Sequence, residues 1–145
     1  MARQGKIELA LSTDTEIATL ARQHNDCTLP YENWTHRAHI AVALYYLQSM
    51  SLKDATRKLR VNIHAYNTVK GDGMGYSETI TVLFMKKIAY ELQQRESKPG
   101  IVDELERLLD ICTIEWVYNY YSPQLIWSQQ ARQEWVEPDL KPLDF

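Results

Sequence analysis

From Ala38 to Leu47 the chain reads AHIAVALYYL, a segment that on a helix is apolar on nearly every side, interrupted only by His39 and the tyrosine hydroxyls. A helix without a polar face has to be covered all round by other elements. A helix from Asn33 or Thr35 to about Ser49 is therefore expected at the centre of the molecule. Its cover must come from the rest of the chain.

The flanking patterns are helical too. Ile17, Leu20 and Ala21 fall at helical spacing in a first helix from about Thr13 to Asn25, whose Asp14 and Glu16 suit the positive end of the dipole. Leu29-Pro30 breaks the chain before the central helix. Ser51-Leu52-Lys53-Asp54 matches a capping box and opens a third helix with Leu52, Ala55, Leu59, Ile63 and Tyr66 as its apolar stripe. Gly71-Asp72-Gly73-Met74-Gly75 reads as a loop. A fourth helix runs from about Ser77 to Arg95 and a fifth from Ile101 to Cys112. After Cys112 the sequence TIEWVYNYY is aromatic and β-branched, but no second strand signal exists to pair with it, so it is read as a helix extension or an extended packing segment. Ser122-Pro123 and Ser128 each open a short helical turn. Two prolines between Glu137 and Leu143 imply an extended tail over residues 136–145 that pins Leu140 and Leu143 to the body. The expected fold is an all-α single-domain bundle of about five main helices with short C-terminal turns, residues 1–12 being flexible or loosely packed.

A chain of 145 residues buries roughly 68–70% of its unfolded surface, so neither a metal nor a disulfide is needed for folding. Sixteen basic against nineteen acidic residues leave a net charge of −3, which offers no field to hold nucleic acid. The longest apolar run, Ala41 to Leu47, is too short to cross a bilayer. Cys27 and Cys112 lie far apart and no secretory signal pattern opens the chain, so reduced thiols in a cytoplasmic protein are expected.

Chemistry concentrates at two places. His36 and His39 stand three apart at the start of the central helix, which puts both imidazoles on one face. The helix N-terminus and burial both favour their neutral form, the form that ligates metal or accepts a proton. Glu78, in the first turn of the fourth helix, would complete a two-histidine, one-carboxylate set able to hold Zn, Fe or Mn for hydrolase or oxygenase chemistry. Each residue also has a structural explanation: the histidines as helix caps or members of a polar core, and Glu78 as a carboxylate on the helix dipole. Tyr76, Ser77 and Thr79 could line a ligand pocket beside them or cap the helix. The glycine loop lacks a phosphate-binding signature. Lys53, Arg57, Arg60 and His64 make a solvated basic face, and Trp116, Tyr118, Tyr120, Tyr121 and Trp127 suggest core packing or a homodimer contact. Neither cysteine has a basic neighbour to activate it.

These residues also carry a resemblance. WTHRAHIAVALYYL, GYSETIT and ARQEWVEPDLKPL resemble a family of small, uncharacterised bacterial helical proteins with the motifs T-H-x-A-H-L, G-Y-H-E-T-I-T and W-V-x-P-D-L-x-P-L. The matching positions are His36, His39, Tyr76, Glu78 and Thr79; Ser77 replaces the motif histidine. The resemblance implies a bacterial origin and the same cluster of residues, without an activity. Two functions stay open: a metal-dependent enzyme, or a non-catalytic module that binds a small ligand or a protein.

Overall fold

A computed structural model describes residues 5–97 and 99–145, and among them every regular element is helical. In chain order these are α1 (Asp14–Asn25), a 3-10 turn (Tyr31–Asn33), α2 (His36–Leu47), α3 (Leu52–Val69), α4 (Glu78–Gln93), α5 (Ile101–Ile111), α6 (Ile114–Val117), α7 (Pro123–Ile126) and α8 (Gln129–Gln133). The helix starts follow from one device. Thr13, Thr35, Ser51, Ser77, Thr113, Ser122 and Ser128 each sit in extended backbone just before a helix and accept a hydrogen bond from an amide of its first turn. Such a cap stabilises by about 1 kcal/mol. Only α5, which follows Gly100, starts without one.

As its composition requires, α2 is the central helix. Ala38, Ile40, Ala41, Val42, Ala43, Leu44 and Tyr46 are all buried, and α1, α3, α4 and α5 pack around it. A second apolar cluster gathers Leu83 of α4 with Val117, Tyr120, Tyr121, Ile126, Ala131 and Val136, fastening α6 to α8 onto the other side of α4.

Several expectations are corrected. TIEWVYNYY neither extends α5 nor lies extended: Cys112 leaves helical backbone, and Thr113 caps the separate helix α6. Its rings pack within the chain, Trp116 against Phe84, Tyr120 and Phe145, while Tyr120 and Tyr121 are buried. Leu52, the first residue of α3, is exposed rather than part of the apolar stripe. In the tail, Leu143 joins the second cluster, but Leu140 is 55% exposed and holds the tail only by its N–H, which donates to Tyr120 O. Residues 5–12 run along the start of α2: Ile7 pairs with Glu32 and Asn33, Arg37 donates to Ala10 O, and Leu11 is buried. Residues 1–4 of the segment expected to be loose lie outside the described residues.

Candidate functional site

The site is organised around Trp34, between the 3-10 turn and the cap of α2. Its indole is stacked with His24 at 3.9 Å and with His39 at 3.8 Å between ring centroids. Two imidazoles cannot share one face at that separation, so the indole is sandwiched between them. His24 arrives on the apolar stripe of α1, after Ile17, Leu20 and Ala21. His39 lies in the first turns of α2.

The two imidazoles differ in their remaining bonds. A ring nitrogen of His39, Nδ1, lies 2.6 Å from Thr35 O. A carbonyl only accepts, so Nδ1 carries the proton and Nε2 keeps its lone pair. Burial lowers the pKa of His39 to about 4; the Thr35 hydrogen bond works against this, and the charges of His36 and Lys6 add to it. His24 is completely buried, and neither of its nitrogens has a hydrogen-bond partner among the described residues. Burial, with a smaller contribution from His39, holds its pKa at about 3. Tyr66 closes this side, its ring against both His24 and Trp34 and its hydroxyl donating to Leu29 O.

On the His39 side the sandwich opens into a cleft. An inner chamber of about 370 Å³ is bounded by Trp34, His39, Asn67, Tyr76, Ser77 and Arg132, among others. It shares Met74, Gly75, Tyr76, Trp127 and Arg132 with an outer groove of about 940 Å³ that adds Arg60, His64, Glu78 and Trp135. An apolar recess of about 260 Å³ between α2, α3 and α4 shares His39, Ile63, Ile80 and Thr81 with the inner chamber and also touches His36. The glycine loop forms the roof. A Cβ at Gly71 would meet Asn67 O at 3.1 Å and the Tyr31 ring at 3.2 Å, and Gly75 has a φ of +87° that side chains disfavour.

The polar groups fall into two sets. In the outer groove they are paired: Arg60 donates to both Glu78 oxygens, at 2.9 and 2.7 Å, and the Tyr76 hydroxyl donates to Glu78 Oε1 at 2.6 Å. Burial pushes the Glu78 carboxyl up, but the hydrogen bonds from Arg60 and Tyr76 and the charges of Arg60 and His64 outweigh it, and the net shift is downward. In the inner chamber they are unpaired. Trp34 is 4% exposed and Asn67 9%, yet the indole N–H and the Asn67 side-chain amide have no partner among the described residues. The same holds for His39 Nε2 and for the guanidinium of Arg132. None of these atoms is among the sealed, unpartnered ones of the interior, and all four residues line the chamber.

The residues singled out in the sequence have the following places. His36 is exposed, and its Nε2 donates to Cys112 O at 2.7 Å, tying α2 to the end of α5. His36 and His39 share the wall of the apolar recess, whereas Glu78 lies in the outer groove. The three expected to hold one Zn, Fe or Mn ion are therefore not assembled, and among the described residues no three His, Cys, Asp or Glu side chains are grouped to hold a metal. The physical reason is the fork of Arg60, which claims both oxygens of Glu78. Tyr76 and Ser77 line the inner chamber. Thr79 does not: it is buried, donates to Glu134 O at 2.8 Å and accepts from Val136 N at 3.2 Å, clamping the end of α8 to α4.

Four residues of the site escaped the sequence reading. His24 continues the spacing Ile17, Leu20, Ala21, and that signal alone could have marked it as buried. Trp34, Asn67 and Arg132 carry no local signal of a shared site, yet all three line the chamber. No helix among the described residues is long and apolar enough to cross a membrane. Comparisons with protein-family models, with curated proteins and with solved structures give no match to this chain.

Proposed function

We propose that this chain is a small-molecule-binding helical protein, and that its ligand sits in the inner chamber on the open side of Trp34. One observation carries this: Trp34, His39, Asn67 and Arg132 line one chamber with hydrogen-bonding groups that have no partner among the described residues. Trp34 and Asn67 are buried; folded proteins pair the polar groups of such residues, and leaving one unpaired costs about 1–3 kcal/mol. A concave site with apolar walls and a few converging polar groups is the usual form of a ligand pocket. Of the two functions left open by the sequence, the ligand-binding module has this support.

The test is a ligand-observed NMR screen with a fragment set containing neutral, cationic and anionic members, run on the wild type and on Thr81→Trp. Thr81 lines both the chamber and the recess, so the indole fills the space while circular dichroism checks the fold. Fragments that bind the wild type and lose binding in the folded variant support the proposal. No binding at all, or equal binding to both proteins, contradicts it.

A further inference from the structure

The polar groups of the chamber differ in what they can accept from a ligand, and together with its charge and its one open ring they select a chemical class. His39 Nε2 is an acceptor, because Nδ1 carries the proton toward Thr35 O. It calls for a donor on the ligand. Arg132 is exposed, lines both chamber and groove, and has no ion-pair partner among the described residues. No Asp or Glu lines the inner chamber, whereas Lys6 does. In the groove outside, Glu78 is matched by Arg60, and Glu134 accepts from the Gln130 side-chain amide. The inner chamber thus carries positive charge, and an unpaired guanidinium is suited to a carboxylate or a phosphate.

The third element is Trp127. Both faces of Trp34 are covered by imidazoles, so Trp34 offers a ligand only its edge. Trp127 is the opposite case. It is 45% exposed, its Nε1–H donates to the Tyr118 hydroxyl at 3.0 Å and fixes the ring's orientation, and it stacks on no other ring among the described residues. A fixed, uncovered indole beside Met74 at the mouth of a chamber is a platform for a flat ring.

We infer that the ligand is a planar heteroaromatic anion. Its ring lies on Trp127, its carboxylate or phosphate meets Arg132, and its N–H donates to His39 Nε2. This rests on the proposed function and names the ligand class for the same chamber.

The test uses indole-3-acetate, which has all three features, in isothermal titration with the full chain. Indole-3-acetamide removes the charge, 1-methylindole-3-acetate removes the donor, and 3-indoxyl phosphate exchanges carboxylate for phosphate. The acid is expected to bind about tenfold tighter than either the amide or the methylated acid, a difference of about 1.4 kcal/mol for each feature. Whichever of the carboxylate and the phosphate binds more tightly identifies the anionic group. Arg132→Gln should reduce the acid to the affinity of the amide while leaving the amide within twofold. Arg132 is exposed on a short helix, so the variant keeps its fold, and the chemical variants need no mutation at all. Equal affinity of acid and amide, or of acid and methylated acid, overturns the inference. So does failure of all four indoles when neutral or cationic fragments occupy the chamber in the NMR screen, an outcome that leaves the proposed function standing. If no fragment of any kind binds, both fail.

Discussion

His24 and His39 lie against opposite faces of one indole and both are held neutral by burial, yet their surroundings differ. His24, on α1, packs against Trp34 and Tyr66, and neither of its nitrogens has a hydrogen-bond partner among the described residues. His39 has one nitrogen fixed by Thr35 and the other open to a chamber. Burial alone does not separate the imidazole assigned to the proposed binding site from the enclosed one. What does is a backbone carbonyl that sets the tautomer, together with space in front of the remaining lone pair.

Removing the shared indole is the strongest way to break this comparison. Trp34→Ala takes away the surface on which both imidazoles rest, and a cost of about 3–5 kcal/mol in urea unfolding is expected. A loss below 1 kcal/mol would mean that the sandwich does not organise the core.

Acid acts on both sides at once. The folded-state pKa values, about 3 for His24 and about 4 for His39, lie below the ordinary 6.5. As the pH falls below 6.5 the unfolded chain takes up protons that the folded chain refuses. Stability is therefore complete above about pH 7 and falls by about 1.4 kcal/mol per pH unit for each imidazole between 6.5 and 4. Below that, only His24 still contributes, down to about pH 3, while lowered carboxyls such as Glu78 and Glu91 add their own loss below the ordinary carboxylate range. Urea midpoints measured from pH 7.5 to 5 should show this slope, and His24→Phe should halve it. At pH 7.5 the same variant should match or exceed the wild type, since a ring without unpaired nitrogens replaces one that has two. A flat profile in the wild type would contradict the burial assigned to both rings.

The open side can be disturbed alone. Thr79→Val leaves Glu134 O and Val136 N without their side-chain partner, with an expected loss of about 1–3 kcal/mol. Hydrogen exchange should rise in α8, which carries Arg132, and not in α1 around His24. The smallest effect is expected from Arg60→Gln. Arg60 is more than a third exposed, and such ion pairs contribute about 0–1 kcal/mol. Its measurable consequence should be a Glu78 carboxyl that titrates higher, with His39 unaffected.

The fold was legible because its signals are local. Hydroxyl caps at Thr35, Ser51 and Ser122 and the all-apolar run of α2 act over one or two turns, and helix starts follow from them directly. The fate of TIEWVYNYY was not, because Thr113 as a cap competes with propensities that point to a strand. The site was half legible. His36 and His39 share a face of α2, as their spacing requires, but whether Glu78 joins them depends on Arg60, eighteen positions away on another helix. Spacing likewise says nothing of Asn67 and Arg132, which α3 and α8 bring to one chamber only once the chain has closed. Pairing across helices decides which polar groups remain free, and no local pattern encodes it.

The most direct test of the difference between the two imidazoles is long-range ¹H–¹⁵N NMR of the histidine rings, followed from pH 8 to 5 and then with indole-3-acetate. His39 is expected as the Nδ1–H form, untitrated across this range, with a change in Nε2 when the ligand is added, while His24 stays neutral and unmoved by ligand. A His39 that titrates near its ordinary 6.5, carries its proton on Nε2, or responds to ligand no more than His24 would contradict the assignment of the open side of Trp34 as the binding site.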